Sequence, residues 1–581
     1  MGIAVEVGLN TPSGDYYALP ADRMTLWQPG VTYNGGIPAR TTQYGSALSP
    51  TGGDDAAQIN AALAACTVGQ HVKLNAGTFK IDSAFLDLNR SGITLRGAGA
   101  TTILEFSRTD GPAIYAGNRY GNSVFYSSHN LSANATKGAY SVTVASIPAF
   151  SAGEIVLIDQ LTDDTVTVWS INSPLGDASR TWCARENRPT CQLMEVDHVD
   201  GSTVYFTTPF RLTYKTALTA QISRFGDTPG GGGSVRAFIS QVGIEDLKIV
   251  RTAVSGDGYG LITFNCCGYS WAKNVEVQNN KGPAINFTAS YRCEERECYI
   301  HETADPNPGG GGYLCNFDWG SSDCLVEDSI HWGGNKVIVF RAAGAGCVVG
   351  YNYMDDAMLS SLNFVESGIN ASHMTTPHYV LFEGNQGHNF DGDSTWGNSV
   401  YVVAFRNWFT GRRLRHLAAI ASALDESNRK AAGIGINHWW CSFVGNVLGT
   451  SGQAVEGTSG PFIYEQTYNA SAPNGEVPMW NVGYNNTDEN GDPDWNQPND
   501  TTTIGLTIRD GNFDYVSNEV RWHGEGGDVG DGTPATLPDS LYLDSAPAFF
   551  SGYTWPWVDA VGSTKLYSLP ARARFFAIHG V

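Results

Sequence analysis

A short strand pattern that recurs along the chain restricts the fold more than any other feature. From residue 240 onward, apolar segments of strand length are each followed by a polar turn, as in WAKNVEVQNN, CLVEDSIHW, YVLFEGNQGHN and CSFVGNVLG. A repeat of this size cannot bury a face alone, so neighbouring repeats have to stack on one another. The pattern therefore predicts a solenoid built from short strands. The alternative is a β-sandwich with asparagines in its turns.

Asparagines stand at one kind of place in several of these repeats. They are Asn352, Asn385, Asn407, Asn446 and Asn485, with separations of 33, 22, 39 and 39 residues. The shortest separation suits one bare coil, and the longer ones suit coils that carry loops. Asparagine tolerates left-handed backbone geometry and hydrogen-bonds its own turn. We therefore expect stacked coils to align these five side chains as a ladder.

The entry to the repeats begins with a helix pattern in GGDDAAQINAALAAC. Asp54 or Asp55 can cap this helix, because a carboxylate satisfies its first N–H groups. One apolar stripe follows at helical spacing, formed by Ile59, Ala62, Leu63 and Cys66. With VKLNAGTFKI and SGITLRGAGATTILEF behind it, the segment over about residues 50–106 resembles the start of pectate-lyase-like right-handed parallel β-helices.

This resemblance implies a fold class. It is all-β, a right-handed parallel β-helix with an N-terminal capping helix and, in this chain, an inserted β-rich subdomain. Similar entries occur in polysaccharide lyases, glycoside hydrolases and phage tailspikes, so the resemblance implies work on carbohydrate without fixing the reaction.

Breaks in the repeat divide the chain into five parts. Residues 126–235 alternate strands with glycine turns and polar loops, which predicts the insertion. The expected parts are 1–50 as an N-terminal extension, 51–125 as capping helix and first coils, 126–235 as the insertion, 236–535 as the main β-helix and 536–581 as a C-terminal cap. The last part is aromatic and proline-rich, and we expect it to cover the open far end of the solenoid.

Composition excludes some partners. Charged residues make up only 16% of the chain, and the net charge is −22. A nucleic-acid partner is therefore not expected, because such proteins carry basic patches. The same charge repels anionic polymers at long range, although a local basic groove overrides that repulsion.

Location is predicted less directly. Stretches of about 18 apolar residues do not occur in the sequence, so we expect no membrane span. The start, MGIAVEVGLNTPSG, lacks the basic and apolar regions of a signal peptide. We expect a secreted, extracellular protein, with a signal removed earlier or export by another route. The oligomeric state stays open.

Eleven cysteines suggest either an oxidising compartment or thiols stacked in the core. Cys183 and Cys191 close the short polar loop TWCARENRPTC, where we expect a disulfide. Cys293 and Cys298 form a second candidate pair. The odd total leaves at least one thiol outside any pairing within the chain.

The segment 350–416 carries the densest polar chemistry. Outward side chains of successive coils lie about 4.8 Å apart and form one surface patch. Candidate catalytic groups are Asp391, Asp393, Glu383, Glu366, Asp356, His378, Arg412 and Arg413. Candidate sugar-binding side chains are Trp396, Trp408, His388, Trp439 and Arg415.

Two reactions fit these residue types. Hydrolysis needs two carboxyl groups about 5–5.5 Å apart for retention or about 6.5–9.5 Å apart for inversion. On one strand Asp391 and Asp393 point the same way about 6.7 Å apart, which suits inversion, although the glycine between them also fits a solvated loop. β-Elimination needs a cation to neutralise a uronic carboxylate and a base for the proton at C5. The arginines that follow the acidic cluster are Arg406, Arg412, Arg413 and Arg415.

A later tract, TDENGDPDWNQPND, makes Ca²⁺ a candidate cofactor. Asp488, Asn490, Asp492 and Asp494 alternate along it and supply the oxygen ligands that this ion prefers. Pro493 stands where an EF-hand needs glycine, so the tract is a different motif or a polar surface loop.

The sequence thus predicts an enzyme that cleaves glycosidic bonds of a polysaccharide on the lateral face of the β-helix. Hydrolysis by paired carboxylates is slightly favoured over a cation-dependent lyase acting on a uronic-acid polymer, because carboxylates are so numerous in 355–393. The alternatives are a non-catalytic glycan-binding solenoid and a tailspike-like or filament-forming structural protein. An enzyme predicts buried carboxyl groups with shifted pKa values, whereas a binder predicts aromatic platforms.

Overall fold

A computed structural model describes most of the chain. The described residues are 19–31, 35–109, 111–117, 125–169, 182–225, 238–253, 260–304, 306, 311–357, 367–413, 430–451, 462–467, 476–485, 498–522 and 534–580. In this part of the chain, strands stack in parallel into three long sheets that run the length of a solenoid. Each coil contributes to sheet 1, then sheet 2, then sheet 3. The predicted fold class, a right-handed parallel β-helix, is confirmed.

Sheets 1 and 2 share two strands, Gly243–Arg251 and Trp271–Gln278, which are long enough to pair in both. The other strands of sheet 1 are Thr42–Gln43, Gln70–Lys73, Thr94–Arg96, Glu294–Arg296, Leu325–Glu327, Val348–Gly350, Leu381–Glu383, Val403–Phe405, Ser442–Val444 and Ile508–Asp510. The other strands of sheet 2 are Gly77–Ile81, Thr102–Phe106, Tyr299–His301, Ile330–Trp332, Tyr353–Asp355, Gln386–Gly387, Trp408–Phe409, Val447–Leu448, Asn512–Asp514 and the antiparallel Glu519–Arg521.

Sheet 3 forms the remaining side of the solenoid. Its strands are Leu86–Leu88, Ile114–Gly117, Ile262–Asn265, Ile285–Thr288, Cys315–Asp318, Ile338–Phe340, Ile369–Asn370, Phe390–Asp391, Ala432–Gly435, Phe462–Glu465 and Val477–Tyr484. A small parallel pair joins Ile239–Ser240 to Cys267–Gly268. The helices of the described segments are Ala56–Ala65, Thr501–Leu506 and Pro570–His579, with 3-10 turns at Ala21–Arg23, Thr216–Leu218 and Ala548–Phe550.

The interior is filled by columns of like side chains, because parallel in-register strands place equivalent residues above one another. Phe264, Phe287, Phe317 and Phe340 stack with ring centroids 5.4, 5.1 and 4.4 Å apart. At the first coil, helix Ala56–Ala65 buries Ile59 and Leu63 against this core, as its apolar stripe predicts. The helix therefore covers the open end, where the first coil has no neighbour to pack on.

The asparagine ladder exists, with one member different from the prediction. Asn352, Asn385, Asn407, Asn446 and Asn512 are each linked to the next by an Nδ2–H···Oδ1 hydrogen bond of 3.0 Å. The last rung is Asn512 and not Asn485, because Asn485 follows a strand of sheet 3 whereas the ladder lies between sheets 1 and 2. The left-handed backbone expected of the asparagines belongs instead to the residue before each one, such as Tyr351 (φ 58°) and Gly384 (φ 67°).

The cysteines are core residues. All eleven lie in described segments, all are buried and none forms a disulfide. The pairing expected for Cys183 and Cys191 is therefore wrong; both are buried thiols packed between the insertion and the solenoid. Cys267 and Cys293 stack in successive coils with their sulfurs 3.8 Å apart. These thiols fill the interior as small apolar groups.

The insertion is a six-stranded antiparallel sheet that leaves the solenoid after Ile114–Gly117. Its strands are Phe125–Asn130, Ser141–Thr143, Ile155–Gln160, Thr190–Asp200, Thr203–Phe206 and Gln221–Phe225. It packs Leu157 and Leu193 against Tyr269 and Tyr291 at the corner where sheet 3 turns into sheet 1. A fully buried ion pair between Arg211 and Asp323 fixes it to that corner.

The chain's tail lies along the side of the solenoid rather than over its far end, where we expected it. Trp557 and Phe575 pack on the outer face of sheet 2 with Trp332, Tyr353 and other aromatic residues. Arg574 donates to both carboxylate oxygens of Asp328 at 2.8 Å. Outward apolar side chains on sheets 1 and 2 are the reason, since they need a cover that a mere end cap would not supply.

Candidate functional site

Two of the three outer faces of the solenoid are covered by the chain itself. On sheet 1, outward residues such as Leu325, Leu381 and Val403 are buried under Leu19, Trp27 and the start of the tail. On sheet 2 the tail covers the outward aromatic residues. Sheet 3 differs, because its outward residues are polar. A polar outer face on a parallel sheet has to find partners elsewhere, which makes this face the candidate site.

Strand register places the polar groups of sheet 3 in two rows. The first row contains Thr263, Asn286, Asn316, Asn370 and Asp391, with the apolar Val339 between Asn316 and Asn370. The second row contains Asn265, Thr288 and Asp318. In the next coil Arg341 directly follows the strand Ile338–Phe340. Asp391 thus lies on this face at the end of strand Phe390–Asp391, and Asp393 follows two residues later, outside that strand.

The centre of the face is a histidine held by a carboxylate. His373 Nδ1 lies 2.8 Å from Asp393 Oδ2, which also accepts from Asn370 Nδ2 at 2.5 Å. Burial opposes the charge of Asp393, but the charge and hydrogen bond of His373, with Lys336 and Asn370, hold its pKa well below the usual range. His373 Nε2 makes no hydrogen bond to a described residue. The carboxylate therefore orients a ring whose second nitrogen is available to a ligand.

Cations surround this pair. Lys336 Nζ lies 3.9 Å from Asp393, and the Arg341 guanidinium stands 6.0 Å from the ring centre of Tyr313. Arg341 Nε is buried and has no hydrogen-bond partner among the described residues. A buried donor without a partner is costly, so the guanidinium is suited to an anionic ligand. We call His373, Asp393, Lys336, Arg341 and Tyr313 the His373 cluster.

Two further carboxyl groups lie beside the cluster, Asp318 in an earlier coil and Asp391 in the same coil as Asp393. Burial raises the pKa of Asp318, against the opposing charge of the neighbouring Arg341. One Asp318 oxygen, Oδ1, is buried without a hydrogen-bond partner among the described residues. Asp391 pairs with Lys430 at 3.1 Å and accepts from the Tyr484 hydroxyl at 2.5 Å. Burial thus favours the protonated form of Asp318, whereas Asp391 is paired with a cation.

Glu383 does not share this face. It lies on sheet 1, fully buried, where Oε1 accepts from the Tyr351 hydroxyl and Oε2 from the backbone N–H of Leu541 in the tail, both at 2.8 Å. Burial raises the pKa of Glu383 to about 7, although these hydrogen bonds lower it. Glu383 is thus a buried carboxyl group with a shifted pKa, as expected of a catalytic group, but its contacts hold the tail in place.

Glu383 should make stability depend on pH. Its pKa rises on folding from 4.5 to about 7, so the folded state binds the extra proton and the free energy of unfolding falls as pH rises through that window. The full difference is about 3 kcal/mol. Glu383→Gln keeps hydrogen-bonding capacity but cannot ionise. We therefore expect the difference in the free energy of unfolding between pH 5 and pH 7.5, measured by urea unfolding, to disappear in this variant. Glu519→Gln, at an exposed glutamate, should keep the wild-type slope. An unchanged slope in Glu383→Gln would show that other groups dominate.

Other predicted residues lie away from the cluster. Trp408 is buried on sheet 2, donates to the Gly449 carbonyl at 2.8 Å and packs under the tail, so packing explains it. His378 is fully buried at the corner towards sheet 1; burial lowers its pKa to about 4, and Nδ1 lies 3.0 Å from the Thr376 carbonyl. Trp439 is half-buried on the same corner, one coil beyond Val400. These three are not brought to the sheet 3 face.

The candidate arginines that follow the acidic cluster in the sequence also lie away from the His373 cluster. Arg413 is buried and pairs with Asp356 at 3.5 Å on the turn from sheet 2 to sheet 3, and half-buried Arg412 shares that turn. His388 lies on an equivalent turn with its ring against Gly368. Arg406 is held by tail carbonyls of Leu537, Pro538 and Val558. These arginines stabilise turns and the tail, and the cations of the face are Lys336, Arg341 and Lys430 instead.

Some predictions fall outside the described residues, namely those for Glu366, Arg415 and the proposed calcium ligands Asp488, Asn490, Asp492 and Asp494. Within the described segments, groups of three or more His, Cys, Asp or Glu side chains suited to a metal ion do not occur. The described helices include none that is both long and apolar enough to cross a membrane.

Sequence reasoning missed His373, Lys336, Arg341 and Asp318. A signal was present, since three of them lie at or just after the end of a strand of sheet 3: Asp318 ends its strand, Arg341 directly follows one, and His373 comes three residues after one. Recognising it requires knowing which strands stack, because these residues are separated by tens of positions in the chain.

Comparison with known proteins gives a likeness in fold only. The chain matches neither a protein-family model nor a curated protein. Solved structures similar to it include the tailspike protein of Pseudomonas phage LKA1, with 15% identity, a TM-score of 0.44, and 74% of this chain and 70% of that chain covered. A tailspike of Acinetobacter baumannii bacteriophage AP22, in complex with a capsular saccharide of A. baumannii, has 10% identity, a TM-score of 0.43, and coverages of 74% and 71%.

An alginate lyase from Paenibacillus is also similar, with 12% identity, a TM-score of 0.39, and coverages of 76% and 99%. We take the fold from the strand register of this chain and the site from its own side chains.

Proposed function

We propose that this protein is a polysaccharide lyase that acts outside the cell on a uronic-acid polymer laid along sheet 3. The observation that carries the proposal is the His373 cluster, an imidazole oriented by a buried carboxylate and surrounded by cations. A base next to positive charge suits removal of a proton from the carbon beside a carboxylate.

The cations select the substrate class. The protein as a whole carries a net charge of −22, yet Lys336, Arg341 and Lys430 lie on one face. A guanidinium with an unsatisfied buried donor fits a carboxylate, which accepts two hydrogen bonds. A neutral sugar offers this donor a hydroxyl oxygen but no negative charge to pair with the guanidinium. A uronate therefore suits the face better than a neutral sugar.

The reaction balances with groups on this face. His373 Nε2 takes the proton from C5 while Arg341 and Lys336 stabilise the negative charge that develops on the carboxylate. The electron pair forms the C4=C5 double bond, and the bond from C4 to the glycosidic oxygen breaks. The departing oxygen receives a proton from Asp318, whose pKa is raised by burial. The products are an unsaturated uronate and a new hydroxyl group.

Hydrolysis by Asp391 and Asp393 is less well supported. An acid catalyst has to hold a proton at working pH, but the pKa of Asp393 is held well below its usual range. Asp391 is paired with Lys430 and with the Tyr484 hydroxyl. The two carboxylates that the sequence favoured for acid and base are thus better explained as groups that orient a histidine and a lysine.

A polymer screen tests the proposal. Alginate, polygalacturonate, glucuronan and a neutral glucan are incubated with the protein, with and without EDTA, and both absorbance near 235 nm and reducing ends are recorded. Absorbance that rises with reducing ends on a uronate polymer is the expected result. Reducing ends without that absorbance would instead support hydrolysis. Binding without either signal would favour a glycan-binding or tailspike-like role.

Arg341 should control the preference for uronates. Arg341→Gln removes the charge that faces the substrate carboxylate, so we expect kcat/KM on the uronate polymer to fall about 100-fold. Lys273→Gln is the matched control, because this cation is 39% exposed on sheet 1 and should leave the rate unchanged. An equal loss in both variants would mean that long-range charge, and not contact with Arg341, decides the rate.

A further inference from the structure

The inserted sheet docks directly beside the His373 cluster. Val168 N donates to Asn398 Oδ1 at 2.8 Å, and Thr375 Oγ1 donates to the Val168 carbonyl at 3.0 Å. Trp169 and Gly397 form an antiparallel bridge next to these contacts. Reciprocal hydrogen bonds of this kind fix both position and orientation. The insertion therefore has a defined place next to the turn that follows Asp393.

This docking brings together two tryptophans from distant parts of the chain. The rings of Trp182 and Trp396 have centroids 5.0 Å apart and planes at 72° to one another. Both side chains are half-buried, and neither belongs to the buried apolar clusters of the described residues. Two indoles at nearly a right angle, both partly open to solvent, form a corner with aromatic surface on two sides.

Trp396 is coupled to the cluster through the backbone. It lies three residues after Asp393, and Asp393 Oδ1 accepts from the Thr395 N–H at 3.2 Å. The carboxylate that orients His373 thus also folds the turn that carries Trp396. Trp182 comes from the insertion, so the insertion supplies the second side of the corner.

We propose that Trp182 and Trp396 form a sugar-stacking subsite for the unit next to the one that reacts. The proposal rests on the proposed function and deepens it. A pyranose ring has an apolar C–H face that packs on an indole, while its hydroxyl groups point to the polar rows of sheet 3. Partly exposed aromatic surface beside convergent polar groups is typical of ligand sites. The insertion then builds one wall of the saccharide groove.

Binding to an inactive protein tests the subsite separately from catalysis. His373→Ala serves as the parent, because it allows binding of intact alginate, polygalacturonate or glucuronan to be measured by calorimetry and tryptophan fluorescence. Adding Trp182→Ala should weaken binding of the polymer about tenfold or more, and Trp182→Phe should recover most of it. Tyr567→Ala, at an aromatic residue 39% exposed on the tail, is the matched control and should bind like the parent.

The outcomes are distinct. If the parent binds a polymer and the added Trp182→Ala does not change the affinity, the subsite is contradicted, whereas the proposed function is not. Parent protein that binds none of the three polymers would overturn both. In the active protein, Trp182→Ala should raise KM on the polymer about tenfold with kcat changed less than threefold. A loss confined to kcat would also contradict the subsite, because stacking on a neighbouring unit contributes to binding.

Discussion

Replacement of His373 by alanine is expected to lower kcat on the uronate polymer by about 10³-fold while leaving the protein folded. A positioned general base contributes roughly 10²–10⁴ to a rate, and this ring is the base of the proposed elimination. Its half-buried side chain fills no core column, so the melting temperature should change by only a few degrees. Absorbance near 235 nm measures the rate.

Two controls separate chemistry from folding. His198→Ala removes an exposed histidine of the insertion and should retain full activity. Free imidazole added to His373→Ala should restore part of the rate, because the space left by the ring lies on an accessible face. Asp393→Asn should lose activity as well, since a neutral amide no longer stabilises the charged imidazole. Full activity in His373→Ala would remove the basis of the proposed mechanism.

Replacement of Asn407 by alanine is expected to lower the free energy of unfolding by about 4 kcal/mol. Asn407 is fully buried, and its side chain accepts from the backbone and side chain of Asn385 and donates to Phe382 O and Asn446 Oδ1. Each buried group left without a partner costs about 1–3 kcal/mol. Urea unfolding followed by circular dichroism measures the effect.

The ladder offers its own controls. Asn512→Ala should be strongly destabilising as well, because Asn512 accepts from and donates to the last coils in the same way. Asn485→Ala should cost about 1 kcal/mol or less, since this residue lies outside the ladder. Equal costs at positions 485 and 512 would contradict the ladder as the structure places it.

Much of the fold could be predicted because it depends on local patterns. Short apolar segments with polar turns predicted the coils, and the stripe of Ile59 and Leu63 predicted the helix that covers the first coil. The error at Asn485 shows the limit. Between Asn446 and Asn512 the chain adds two strands of sheet 3 and a helix, so residue spacing no longer reports which side of the coil a residue occupies.

The candidate site, too, could be predicted only in part from local patterns. Asp391 and Asp393 were singled out by a local rule, that alternate residues of one strand share a face. In the structure only Asp391 belongs to the strand Phe390–Asp391, and Asp393 lies just beyond it. Glu383 and Trp408 have equally suggestive residue types, but the tail covers their faces of the solenoid. Burial by a segment more than a hundred residues away leaves no trace in the local sequence.

The sequence alone therefore determined the repeat and its capping helix, since hydrophobic periodicity acts over a few residues. The tertiary structure decided which polar groups meet. Parallel stacking puts Lys336 and Arg341 of one coil on the same face as His373 of the next, and the docked insertion puts Trp182 beside Trp396. These contacts depend on strand register and on how distant segments pack, because a short-range pattern carries no information about which coil lies above another.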